Sequence, residues 1–226
     1  MFYFDSSFLI LIPALIIAGW AQLRITRVFN KYSKIRSING YTGEQVARLM
    51  LDSEGLTNVP VKVIQGKLTD NFDPRDNTMN LSEDVYYGNS VAAIGVAAHE
   101  TGHAMQHKED YSPLKIRNAI VPIVGFSSNA SWIILILGFI MGIQGFITLG
   151  IILFTAVVVF QLITLPVEFN ASKRAIVTLE QKNILYGEEI KGAKAVLSAA
   201  AMTYVAAALM AIAQLLRLLF LSRRNN

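Results

Sequence analysis

The chain has 226 residues, 53% of them hydrophobic and 16% charged, with a formal net charge of +4 and no cysteine. Soluble domains carry roughly 25% charged residues, so this composition excludes an ordinary soluble protein, and the missing thiols exclude disulfides and cysteine chemistry. The deficit of charge is confined to four long apolar stretches, and the surplus of basic residues leaves no nucleic-acid footprint.

The first stretch runs from about Phe4 to Leu23. A secretory signal has basic residues before its apolar run; here Asp5 stands in front and Arg24, Arg27, Lys31, Lys34 and Arg36 follow. Residues 1–23 therefore read as an uncleaved transmembrane span.

Residues 24–118 read as an extramembrane catalytic segment. "YTGEQVARLMLDSEGL" predicts a helix, with Thr42 and Gln45 as a capping box, an apolar face of Val46, Leu49 and Met50, and Gly55 to close it. "VKVIQG" and "TMNLS" alternate as short strands, and "LTDNFDPRDN" between them is rich in turn formers. "GNSVAAIGVAAHETGHAMQHKED" predicts a helix capped by Asn89 or Ser90 and ending near Lys108. Its apolar part is too short to span a membrane.

A transmembrane hairpin is expected over 119–167: Ala119 to Ile143, a turn at Gln144-Gly145, then Phe146 to Val167. Pro166 is expected to end or kink this span, with Glu168 opening a new amphipathic helix over 168–194. The last span and tail occupy 195–226. Each apolar stretch approaches or exceeds the roughly 20 residues that a helix needs to cross the hydrocarbon core.

All three histidines of the chain, His99, His103 and His107, fall within nine positions of one helix. Residues four apart lie on one helical face, about 6 Å apart, so His99 and His103 can aim ring nitrogens at one ion. Glu100, rotated around the helix, reaches a water on that ion without ligating it. This is the physical content of the H-E-x-x-H pattern: two neutral imidazoles hold zinc, and the glutamate takes a proton from an activated water. His107 lies about 12 Å along the axis from His99, too far to join them on a straight helix. It is either an outer residue of the same cleft or surface.

A third ligand must come from elsewhere, because catalytic zinc takes three protein ligands and leaves a fourth position open. "PVEFNASKRA" offers Glu168, an acidic residue at the mouth of a span, which is costly without a role. Glu180, Glu188 and Glu189 compete, on a lysine-rich stretch that reads as a solvated face.

Orientation follows from the basic residues. Twelve of the twenty lie between Arg24 and Arg117 and five more between Lys173 and Lys194, which places both segments on the cytoplasmic side of the cell membrane. The last span then leaves Arg223 and Arg224 outside, so either that short tail is tolerated or the final helix does not fully cross.

"LTDNFDPRDNTMNLSEDVYYGNSVAAIGVAAHETGHAMQH", "RNAIVP" and "EFNASKRA" resemble the neutral zinc metallopeptidases of the YugP type, integral membrane proteins, over nearly the whole chain. The arrangement is more distantly similar to the HtpX-type membrane peptidases. The resemblance implies a mainly α membrane protein of about four spans with a small α+β zincin-like catalytic unit. It implies one Zn2+ per chain on His99, His103 and Glu168, with Glu100 as general base and acid. "TMNLS" would be the edge strand that receives an extended peptide by strand addition. Two positions depart from the patterns: Ser172 stands where the HtpX type has an aspartate behind a ligand histidine, and Asn71-Phe72 replace a histidine and tyrosine frequent in the YugP type. Arg174 is the candidate for stabilising the oxyanion.

The reading is a membrane-anchored zinc endopeptidase acting on membrane or unfolded proteins. Two rivals stand beside it. A metal-binding scaffold or chaperone-like subunit would share the histidines without needing Glu100. An intramembrane protease would need the H-E-x-x-H helix to span the bilayer.

Overall fold

The computed structural model describes residues 6–224, so the first five residues, including Asp5 and the start of the expected first span, and the last two of the tail lie outside the described residues. After a short 3-10 segment, Ser6–Ile10, the elements are α1 (Ile12–Tyr32), α2 (Gly43–Ser53), β1 (Val61–Ile64), β2 (Asn71–Asp73), β3 (Thr78–Ser82) and α3 (Glu83–Tyr86). They continue with α4 (Val91–Lys108), α5 (Ser112–Met141), α6 (Gln144–Gln181) and α7 (Glu188–Arg224). The protein is a mainly α membrane protein with a small α+β unit. Among the described residues four helices, α1, α5, α6 and α7, are long and apolar enough to cross a bilayer.

The chain divides into two compact units. One is built from the residues up to Gln22, from Lys115–Pro166 and from Met202 onward; the other from Leu23–Leu114 and Val167–Ala201. In the first, the most apolar windows of the four helices are only 11–28% buried, leaving Leu15, Ile16, Phe126, Ile133, Ile140 and Ile152 exposed. A surface of that kind is stable against acyl chains, not water. The α5–α6 hairpin turns at Gly142, whose φ of +65° suits glycine, and the Ile143 amide bonds back to the Gly138 carbonyl in a Schellman-like closure. The turn thus precedes Gln144-Gly145, which are already in α6. Close packing at Gly138 and Gly150 lets Leu135, Ile147 and Phe154 interlock. Arg217 donates from Nε to the Ser7 hydroxyl (3.0 Å) and lies 3.9 Å from the Phe8 ring centroid.

In the second unit α4 is the central element. Val91, Ile94, Ala98 and Met105 pack on Ala175, Leu179, Ala193 and Leu197 of α6 and α7. Ala97 and Ala104 pack on Phe72, Met79 and Leu81 of the sheet. α2 covers the unit with Val46, Ala47, Met50 and Leu51; its Thr42–Gln45 capping box is complete. Ser90 caps α4 by accepting from the Ala93 amide (3.1 Å).

The sheet order is β1-β3-β2, with β1 parallel and β2 antiparallel to β3. The expectation that "TMNLS" is an edge strand is not met. β3 is the middle strand, because the segment after it runs straight into α3 and α4 while strands before it pair on both sides. The turn-rich "LTDNFDPRDN" supplies one of those partners, β2. Its tight connection to β3 is made by an Asp73–Arg75 side-chain turn and by Asn77 at φ +54°, a conformation asparagine tolerates.

Pro166 does not end a helix either. α6 runs unbroken through it to Gln181, and no separate helix opens at Glu168. Proline removes one hydrogen bond, but Val167, Ala171, Ala175 and Leu179, spaced four apart, are all fully buried in the second unit. That stripe holds the following turns helical.

Candidate metal centre

Every residue of the candidate site lies in the second unit. α4 presents His99 and His103 one turn apart on a single face, with ring centroids 4.8 Å apart and planes crossed at 84°. α6 brings Glu168 up to them. Its Oε2 lies 3.2 Å from His99 Nε2 and 3.7 Å from His103 Nε2. One donor atom from each of the three residues falls within 4.8 Å of the other two, a group that could hold a metal ion. Glu168 and His103 are buried and His99 is partly open.

The approach of the two helices is set by Gly102, between the histidines. A Cβ built there would sit 2.5 Å from the Ala171 carbonyl oxygen, so only glycine admits this spacing. Each ring is held from behind. Ser172 Oγ is 3.1 Å from His99 Nδ1, and Gln106 Oε1 is 3.0 Å from His103 Nδ1. Both Nε2 atoms are thereby turned toward Glu168. Two imidazole nitrogens and one carboxylate oxygen, with their second nitrogens engaged, fit a zinc-type ion and leave a position open for water or substrate.

Glu100 stands outside this set. It is buried, and its Oε2 accepts a hydrogen bond from the Phe72 amide of β2 (3.1 Å). Burial raises its carboxyl above the usual carboxylate range, against the opposing pull of His103 and His99. Burial alone would lower the His103 imidazole, but the neighbouring carboxylates of Glu168 and Glu100 overrule it and leave it raised.

The other candidates are placed as follows. Ser172 backs His99. His107 is exposed, its ring 5.6 Å from Phe72. Asn71, at the exposed end of β2, spends its side chain on the Thr69 carbonyl (2.9 Å) and on Asn80 (3.1 Å). Arg174 donates from Nε to Asn170 and from both Nη atoms to Glu109, each at 2.7 Å. Of the rival carboxylates, Glu180 and Glu188 are exposed. Glu189 is not on a solvated face: it is buried, because its Oε1 accepts from the Ile38 amide (2.6 Å) 151 residues away.

Gly102 and Gln106 are the residues that sequence reading passed over. An isolated glycine inside a confident helix is a signal of close packing. Gln106 shares the face of His103 at i+3, which is the cue that it can reach the ring.

A family model described as "Putative neutral zinc metallopeptidase" matches residues 7–223. The "Putative membrane protease YugP" of Bacillus subtilis (strain 168) is 48% identical over 217 residues, covering 95% of this chain and 96% of that protein. No solved structure matches the chain.

Proposed function

Because the chain belongs to the family of neutral zinc metallopeptidases, we propose that it is a membrane-embedded endopeptidase with one zinc ion on His99, His103 and Glu168. The observation that carries this reading is a division of labour. Three donor atoms converge within 4.8 Å, while the neighbouring Glu100 carboxylate is held apart from them by a backbone amide. A scaffold that merely bound metal would need the first feature and not the second.

A zinc ion held there would polarise the scissile carbonyl and lower the pKa of a water toward 7. Glu100 accepts the proton lost by the attacking water and returns it to the amine nitrogen as the C–N bond breaks. Its burial makes it a stronger base than a solvated carboxylate, and the Phe72 amide anchors one of its oxygens. Ser172 and Gln106 hold the rings, so the ligands need no reorganisation when substrate arrives.

The substrate is an extended stretch of a membrane or unfolded protein, received on the outer edge of β2. The Met79 amide is spent on the Pro60 carbonyl, on the β1 side (2.9 Å). The Phe72–Met79 pair is therefore the non-bonded kind, and the Phe72 amide and carbonyl face outward. With the amide on Glu100, the Phe72 carbonyl is the acceptor that can take a substrate N–H beside the base. Catalysis faces the cytoplasm, since seventeen of the twenty basic residues lie between Arg24 and Arg117 or between Lys173 and Lys194.

The test is Glu100→Gln in the purified, zinc-loaded chain with an unfolded protein as substrate. Zinc should stay bound, and cleavage should fall by roughly 100- to 10,000-fold, the usual worth of a positioned acid–base group. Full activity in the variant refutes the role of Glu100. A wild-type chain that binds zinc but cleaves neither unfolded nor membrane proteins favours the scaffold.

A further inference from the structure

Gln106, which backs the His103 ring, reaches further than that one contact. Gln106 is fully buried, and its amide touches three partners. Nε2 is 2.8 Å from the Val167 carbonyl and 2.9 Å from Asn170 Oδ1, while Oε1 is 3.0 Å from His103 Nδ1. An amide can be turned end for end, so its hydrogen-bond polarity must be deduced from the neighbours.

The deduction begins at Arg174, whose guanidinium only donates and is clamped through both Nη atoms on Glu109. Its Nε points at Asn170 (2.7 Å), so the Asn170 atom there is the carbonyl oxygen. Gln106 meets that same oxygen and the backbone carbonyl of Val167. Two acceptors demand a donor, so this end of Gln106 is its NH2 group. The opposite end is then its oxygen, and it needs a hydrogen from His103 Nδ1. With Nδ1 protonated, the nitrogen that the neutral ring frees for a metal is Nε2, the one that faces Glu168.

We propose that Gln106 is a positioning residue that relays this polarity from Arg174 through Asn170 to His103, keeping His103 in the one neutral tautomer able to ligate through Nε2. The inference rests on His103 being a zinc ligand. Gln106 also bonds to Val167, next to Glu168, a tie between the two helices that the melting temperature reads. His99 has no such wiring: its partner, the Ser172 hydroxyl, can donate or accept and selects no tautomer.

The experiment compares two variants of the full chain in detergent, by zinc competition against a chromophoric chelator and by thermal melting without metal. Gln106→Met keeps the volume and loses every hydrogen bond. Gln106→Glu loses the NH2 donors and keeps an oxygen for His103 Nδ1. Both should melt lower than the wild type. Only Gln106→Met should lose zinc affinity, by roughly 10- to 100-fold, with Gln106→Glu staying within about threefold. If Gln106→Met binds zinc like the wild type, or if both variants lose affinity alike, Gln106 is a helix clasp and the relay is wrong.

Nitrogen-15 spectra of histidine-labelled, zinc-loaded wild type give a check that needs no variant. His103 should carry its hydrogen on Nδ1, and a bare Nδ1 overturns the proposal. Should the wild type take up no zinc at all, the ligand reading fails. The same spectra of the metal-free protein, taken at a pH where the ring is neutral, then judge the relay by itself: a hydrogen on Nε2 and a bare Nδ1 overturn it.

Discussion

Gly102→Ala adds one methyl group and touches no ligand, yet it should disable the centre. The new Cβ would lie 2.5 Å from the Ala171 oxygen, 3.0 Å from its carbonyl carbon and 3.1 Å from its Cα. All three are backbone atoms, and no rotamer relieves them. α4 and α6 must part by about 0.5 Å before the nearest contact reaches 3.0 Å, and by more for comfort. Overpacking of this kind costs about 1–3 kcal/mol of stability. The effect on function is larger, because α4 carries both histidines and α6 carries Glu168. Functional groups work within about 0.5 Å of their productive geometry, and a 1 Å misplacement can cost roughly 100-fold. The expected outcome is a folded protein with a modestly lower melting temperature and zinc affinity and turnover each down by at least about tenfold. The assay is chelator competition and cleavage of an unfolded substrate, beside melting of the metal-free protein. Zinc affinity and turnover within about twofold of the wild type would show that the Gly102–Ala171 contact does not set the ligand spacing.

Other perturbations isolate other parts of the site. Glu168→Ala removes the ligand from the second helix, so zinc should be retained only weakly and activity lost; tight stoichiometric zinc in this variant refutes the ligand set. Ser172→Ala unties the His99 ring and should weaken zinc by roughly 10-fold without moving the melting temperature much; an unchanged affinity would mean that packing alone orients His99. Chelation should abolish cleavage and added zinc should restore it; activity that survives exhaustive dialysis against chelator argues against a metal centre.

The parts legible in the sequence are those whose causes are local. Four spans show in composition, and the His99–His103 pair shows in i, i+4 spacing on a capped helix. Glu168 could be singled out because a carboxylate at the end of an apolar run needs a reason. Pro166 misleads, since the rule that proline breaks a helix describes an isolated segment. Here the burial of Val167, Ala171, Ala175 and Leu179 offsets one lost hydrogen bond. β2 was hidden because three residues among turn formers have no strand signature; it exists only through pairing with β3 and through the Phe72 amide bound to Glu100. Glu189 reads as solvated because its partner, Ile38, is 151 positions away.

The same distinction explains why the motif alone is not the site. H-E-x-x-H fixes the rings relative to each other, since both sit on one helix. It says nothing about where Glu168 will be. That is decided by the register of α6 against α4, which is held by the Gly102–Ala171 approach, the Gln106 bonds to Val167 and Asn170, and the Ser172–His99 bond. A slip of α6 by one residue would turn it by about 100° and advance it about 1.5 Å. Glu168 would leave the cluster, and the Ser172 partner of His99 and the acceptors of Gln106 would go with it. Three unlike contacts thus reject the same error. The proposed ligand set is therefore a property of the interface between two helices more than sixty residues apart in the chain, and a substitution that moves one helix against the other, as Gly102→Ala does, should perturb the metal without touching a ligand.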